Sequence, residues 1–260
     1  MTIRFPPAVR GALAVLALAA TLQAHGDPAD VGERLAGAAS ALAAERQPYL
    51  ERGLGGPQGP EQAGVPSAGL DCVTFMEASL LRAGGVDDRD AQHRWLRTTR
   101  YDDREPAYCT RLHYISDWVE RNVARGWLGE ITAAIAHDRG LTLLRREWSR
   151  GWMASQRLDP ARCLGSSHER QTLDYIGPAD YDRIAADLRT GDILLLVASA
   201  PGLDTAHLGI VDVNGGLAMA SSLEHRTVVQ PDWRAYARKR ASRFAGVRVL
   251  RVRELPGAPG

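Results

Sequence analysis

Two short stretches, far apart in the chain, hold residue types that could share one chemistry. Asp71-Cys72-Val73-Thr74-Phe75 opens a run with helical spacing, and Ala206-His207-Leu208-Gly209-Ile210 lies in an apolar run that reads as a strand. Asp71 is a residue type that caps helices, which would set Cys72 in the first turn. A sulfur there faces unpaired backbone N–H groups and the positive end of the helix dipole, and both favour thiolate over thiol. A thiolate is a nucleophile for acyl transfer. Histidine, with an unperturbed pKa of about 6.5, suits the uptake and return of a proton near neutral pH. Each residue also fits a plainer role, since a cysteine is commonly a small buried apolar residue. It is the pairing that points to nucleophilic catalysis.

The elements that must position the pair follow from the apolar pattern. Asp27-Pro28 reads as a cap and first turn, and Val31, Leu35, Ala38 and Leu42 then predict a helix over about 28–46. A glycine- and proline-rich loop from Gly53 to Pro66 runs directly into Leu70-Asp71-Cys72. Further helices are expected over Cys72 to Ala83, stopped by Gly84-Gly85, over Asp87 to Arg97, and over His113 to Arg125, stopped by Gly126. The region 127–170 is ambiguous, with a short helix expected from Trp148 to Gln156. Strands are expected over Asp192 to Val197, Ala206 to Val213, Leu217 to Ser222, Thr227 to Val229 and Gly246 to Val252, with a helix over Pro231 to Arg240. Asn214-Gly215-Gly216 makes a tight turn between two of the strands, which implies an antiparallel sheet. Helices first and strands later is the α+β order, and residues 25–260 read as a single domain.

Composition narrows the function classes. The chain has 260 residues, 45% hydrophobic and 24% charged, which excludes a wholly disordered chain, a coiled coil or a collagen-like repeat. Lys+Arg is 32 and Asp+Glu is 31, so no basic excess supports nucleic-acid binding. Arg4 and Arg10, the apolar stretch Ala12 to Ala20 and the small exit at Leu22-Gln23-Ala24 read as a secretory signal peptide over residues 1–24. That stretch falls short of the roughly 20 residues needed to span a bilayer. The mature protein is therefore expected to be periplasmic or secreted, with no membrane span. Export permits disulfides. Cys72 is expected to stay unpaired, while Cys109 and Cys163 could form a bridge or remain two buried thiols. His93, His137, His168 and His225 show no short ligand spacing and no His-Glu-x-x-His occurs, so neither a metal nor another cofactor is expected.

A series of short motifs then resembles one family. Leu70-Asp71-Cys72-Val73-Thr74-Phe75-Met76-Glu77 is similar to the nucleophile motif of the DUF1460 group. That group is N-acetylmuramoyl-L-alanine amidase-like and falls within the NlpC/P60-type, papain-like cysteine hydrolases. The likeness continues at Arg111-Leu112-His113-Tyr114-Ile115-Ser116-Asp117-Trp118, Tyr175-Ile176-Gly177-Pro178 and Gly191-Asp192-Ile193-Leu194. Gly202-Leu203-Asp204-Thr205-Ala206-His207-Leu208-Gly209 and Ala220-Ser221-Ser222 complete it, over roughly 45–253.

The resemblance implies a papain-like α+β core with an antiparallel sheet and N-terminal helices. Cys72 would be the nucleophile, His207 the base, and peptidoglycan or its muropeptide fragments the substrate, cut at the amide joining the muramoyl lactyl group to L-alanine. Two other functions are compatible with it: a γ-D-glutamyl-diamino acid endopeptidase of the same superfamily, and an inactive cell-wall binding protein. One departure stands out. Such enzymes often carry a third polar residue on the strand after the histidine, and Met219 falls at that place. Strand alternation puts Ser221 on the same face, so Ser221 is the candidate orienter of His207, with Ser222 and a backbone carbonyl as competitors. Asp71, Arg111, His113 and Tyr114 are candidate substrate-binding residues. Their plainer roles are a helix cap for Asp71 and local pairing for Arg111 and His113, with Trp118 packing in the core and Glu77 making a structural hydrogen bond. No feature of the pattern assigns an oligomeric state.

Overall fold

In the computed structural model, which describes residues 28–51, 53–56, 59–151, 163 and 170–257, helices come early and strands late. The expected leader over 1–24 lies outside the described residues. Helices α1 (Pro28–Ala44), α2 (Cys72–Gly84), α3 (Arg89–Arg100) and α4 (Ile115–Ala124) precede β1 (Leu128–Glu130) and α5 (Thr132–Asp138). Then follow β2 (Leu144–Trp148), β3 (Gln171–Tyr175), α6 (Tyr181–Ile184), β4 (Ile193–Ala198), β5 (Thr205–Val211), β6 (Leu217–Ser221), β7 (Arg226–Gln230), α7 (Trp233–Arg238) and β8 (Phe244–Val252). Six strands form one antiparallel sheet in the order β1-β8-β4-β5-β6-β7, and β2 pairs with β3 apart from it.

The sheet is covered on both faces, as its nearly continuous apolar strands demand. Ile193, Leu195, Leu208, Ile210, Ala218 and Ala220 join a core with α1 and α2, where Leu35, Phe75, Met76 and Leu80 are fully buried. Leu194, Leu196, Leu217, Met219, Val247 and Val249 alternate to the other face and meet Tyr181, Ile184, Trp233 and Tyr236. Burying a side chain such as Phe75 is worth about 1.5–3 kcal/mol, so α2 is anchored chiefly by this face. β5 and β6 pair only at Ile210–Ala218 and Val211–Leu217, and no pairing continues towards the start of β5. That stretch of β5, paired with β4 through Leu196 but not with β6, holds His207.

Most boundaries follow local chemistry. α2 ends where Gly85 takes φ 68°, a left-handed cap open to glycine. α3 starts at Arg89 because Asp88 caps it, its carboxylate accepting from the Ala91 N–H at 2.8 Å. α4 starts at Ile115, not His113, and a carboxylate from far along the chain, Asp204, accepts from its Ser116 N–H. The helix expected from Trp148 to Gln156 is corrected at its start: Trp148 ends β2, paired with Gln171, while 152–156 lie outside the described residues. Its ring packs with Tyr114, Leu173 and Val197, a buried strand position that overrides local helical spacing. Among the described residues no helix is long and apolar enough to cross a membrane.

Cys109 and Cys163 form a disulfide, with Cα atoms 4.4 Å apart and a sequence separation of 54. This resolves the two alternatives left by the sequence in favour of a bridge, and Cys72 is free. A closed loop of this length removes denatured-state freedom worth about 4 kcal/mol. Cys163→Ser is therefore expected to lower stability by about that amount in urea unfolding under oxidising conditions. An unchanged midpoint would show that the bridge constrains little.

Candidate active site

Asp71 has extended backbone and caps α2, and its carboxylate accepts from the Thr74 N–H at 2.8 Å. Thr74 returns the bond, its Oγ1 accepting from the Asp71 N–H at 2.9 Å. This reciprocal box fixes the first turn, and Cys72 is its first residue. The approach to the turn is held from the other side. Leu70 N–H donates to the Pro48 carbonyl at 3.0 Å, and Tyr49 N–H donates to the His225 carbonyl at 3.0 Å. A Cβ on Gly69 would lie 2.4 Å from the Pro48 oxygen, so only glycine lets these segments meet. Tyr49 is thereby brought beside Cys72 and Asp71.

The Cys72 thiol accepts a hydrogen bond from the Leu208 backbone N–H, on the stretch of β5 that has left β6. Leu208 is the residue after His207. The fold thus brings the two sequence-predicted stretches together at the point where β5 and β6 part. His207 is almost fully buried, and its Nε2 lies 2.8 Å from Met219 Sδ. Met219 therefore stands against the imidazole at the position where sequence alignment expected a third polar residue. Ser221, the candidate orienter, is not at the ring. Its Oγ accepts from the Leu223 N–H at 3.3 Å and the Glu224 N–H at 3.1 Å, closing the β6–β7 turn, and it hydrogen-bonds Tyr236. Ser221 thus bonds to the turn and to Tyr236, and no hydrogen bond joins it to His207 among the described residues.

The electrostatics correct one expectation. The helix start was expected to favour thiolate, but burial pushes the Cys72 thiol up to about 12, with the Asp71 charge adding to the rise. The Leu208 N–H and Arg243 oppose that rise and do not overcome it. Burial likewise pulls His207 down to about 3, helped by Arg243 and Arg240. Both shifts favour the neutral forms, thiol and imidazole. Alkylation of Cys72 by iodoacetamide is expected to accelerate about tenfold per pH unit from pH 7 to 10, because the thiolate fraction grows tenfold per unit below the pKa. A plateau beginning below pH 8 would mean a preformed ion pair instead.

The other sequence candidates are engaged in structure. Arg111 pairs with Glu61 at 3.1 Å and donates to the Gly55 carbonyl at 3.2 Å, so its charge is already met inside the glycine-rich loop. His113 Nε2 lies 2.6 Å from the Tyr108 carbonyl, and burial followed by the Arg111 charge lowers the ring to about 4. Tyr114 is fully buried against Trp148, with ring centroids 5.2 Å apart. Glu77, as expected, is structural: it is buried and bonded to Arg100 at 2.6 Å. Sequence reasoning missed Arg243, Arg240, Tyr49 and Tyr236, whose charges or rings surround Cys72 and His207. A basic pair after a short helix reads at first as a complement to the helix dipole, which hid it.

Comparison with known proteins bears on the fold and the family of the chain. The chain resembles an N-acetylmuramoyl-L-alanine amidase from Bacteroides uniformis ATCC 8492 at 25% identity and a TM-score of 0.70, over 85% of this chain and 98% of that one. A second crystal structure of an amidase of the same description and strain gives 26% identity and a TM-score of 0.70 over the same shares. A Legionella pneumophila str. Philadelphia 1 protein assigned to DUF1460 shares the fold, at 20% identity and a TM-score of 0.67 over 90% of this chain and 95% of that one. No curated protein matches the chain. The AmiA-like family model, described as N-acetylmuramoyl-L-alanine amidase-like, matches residues 41–245. The chain belongs to this AmiA-like family of amidase-like proteins.

Proposed function

We propose that the protein is a cysteine-dependent hydrolase that cuts the amide between the muramoyl lactyl group and L-alanine in peptidoglycan or its fragments. The observation that carries this reading is the seating of the Cys72 sulfur, at a capped helix start, on the backbone N–H beside His207. With Nε2 against Met219, Nδ1 is the imidazole nitrogen left to serve the thiol. Because the pair rests neutral, the proton passes from sulfur to His207 as Sγ attacks the carbonyl carbon. The developing oxyanion is held by backbone N–H groups at the start of α2. His207 then protonates the departing L-alanine amine, and water attacks the thioester with the imidazole again as base. No cofactor enters this sequence.

The papain-like, NlpC/P60-type assignment is part of the same reading, supported by a nucleophile on a helix start and a base on an adjoining strand. Action outside the cytoplasm follows from the wall substrate and from the expected leader over 1–24. Product mass spectrometry tests the bond choice. Incubation with a soluble N-acetylmuramoyl-peptide is expected to release N-acetylmuramic acid and the intact stem peptide. Cleavage after D-glutamate would favour the endopeptidase. Retention on wall material without turnover would favour a binding protein, the function that Met219, a weak acceptor for an imidazolium N–H, argues for most directly.

A further inference from the structure

Arg243 lies in the turn between α7 and β8, where its N–H donates to the Arg240 carbonyl at 2.8 Å. Its guanidinium carbon is 5.4 Å from the centroid of the Phe244 ring, and both terminal nitrogens reach Ser222 Oγ at 3.3 and 3.4 Å. Arg240 stacks over Tyr236 at 4.0 Å, and Tyr236 lies against His207 with ring centroids 6.5 Å apart. Neither arginine has a carboxylate within ion-pair distance among the described residues. Arg100, Arg111, Arg150 and Arg251, which are also sheltered, each have one. A half-buried guanidinium whose partner is a single hydroxyl keeps most of its donor fork for something else.

The position of Arg243 says what that is. Its partner Ser222 directly follows the end of β6, and the neighbouring Arg240 stacks on Tyr236, whose ring faces His207; its charge also acts on Cys72 and His207, so it stands beside the candidate site and not on a remote surface. An anion received there must be covalently close to the bond being cut. In a wall stem peptide, the first carboxylate beyond the scissile amide is the α-carboxylate of the residue after L-alanine, a D-glutamate joined through its side chain. Resting on the amidase reading above, we propose that Arg243, backed by Arg240, is the recognition element for that carboxylate. The enzyme is then selective for stem peptides whose second residue carries a free acid and not its amide. A planar fork binds a carboxylate through two parallel hydrogen bonds and gains little from an amide.

The test compares N-acetylmuramoyl-L-alanyl-D-glutamate with N-acetylmuramoyl-L-alanyl-D-isoglutamine, which differ only by carboxylate against carboxamide. Wild-type kcat/KM is expected to favour the acid by about tenfold or more, the discrimination available to a charged hydrogen-bonded site. Arg243→Met should erase that preference by slowing the acid much more than the amide, and Arg243→Lys should keep part of it. Equal slowing of both compounds by Arg243→Met would place the arginine's effect on the thiol and overturn the proposal. So would a wild type that treats the two alike. If the wild type hydrolyses neither, calorimetric binding of the same two compounds separates the claims. Acid-selective binding lost in Arg243→Met supports the anion site while the amidase reading falls; no selectivity in binding overturns both.

Discussion

Cys72→Ala is expected to abolish release of N-acetylmuramic acid, lowering kcat by about ten-thousand-fold or more, because the sulfur is the attacking atom of the proposed mechanism. The fold should survive. The capping box runs between Asp71 and Thr74 and does not use the Cys72 side chain, and alanine is the best helix former for a first-turn site. The thermal midpoint should therefore stay close to that of the wild type. Full activity in this variant would end the assignment of the nucleophile. Loss of activity together with loss of the cooperative transition would show instead that the thiol is a core residue.

The second large effect concerns stability. Glu77, in the second turn of α2, meets Arg100 at 3.0 and 3.2 Å through Nε and at 2.6 Å through Nη2, with both side chains buried. The remaining nitrogen, Nη1, donates to the carbonyls of Gln62, Ala63 and Gly64 at 3.1–3.2 Å. One guanidinium thus ties the nucleophile's helix to the end of α3 and to the glycine-rich loop. Burial works against its charge, yet the Glu77 carboxylate more than offsets this and the Arg100 pKa is raised. Glu77→Gln keeps the shape and strands a buried cation, which costs about 3–5 kcal/mol. For a chain of this size that corresponds to a fall in Tm of about 10 °C, measurable by calorimetry. A fall of less than about 2 °C would show that water or the loop carbonyls carry the charge unaided.

Much of this arrangement was legible in the sequence. Asp71 with Thr74 three residues on, and Gly84-Gly85 at the far end, mark α2 because caps and stops are local chemistry. The apolar runs around Ile193 and His207 and the Asn214-Gly215-Gly216 turn mark antiparallel strands for the same reason. What sequence could not reach is set by partners distant along the chain. The α4 start depends on Asp204, 88 residues away from Ser116. β1 and β2 take their conformation from β8 and β3. Arg111, a candidate for substrate binding or for local pairing, is matched by Glu61, 50 positions away. The thiol's direction turns on desolvation by segments distant in the chain, which a helix start read alone does not show. Met219 lies against the ring, where counting along the strand put it, whereas Ser221, chosen by strand alternation, bonds to the β6–β7 turn and to Tyr236.

The proposed mechanism passes through a covalent bond between Cys72 and the muramoyl lactyl carbonyl. Acid-quenched intact-protein mass spectrometry during turnover of N-acetylmuramoyl-L-alanyl-D-glutamate tests it directly. The expected result is an adduct equal to N-acetylmuramic acid less water, located on the peptide that carries Cys72, removed by hydroxylamine and absent from Cys72→Ala. Steady hydrolysis with the label on another residue, or undiminished in Cys72→Ala, would contradict it.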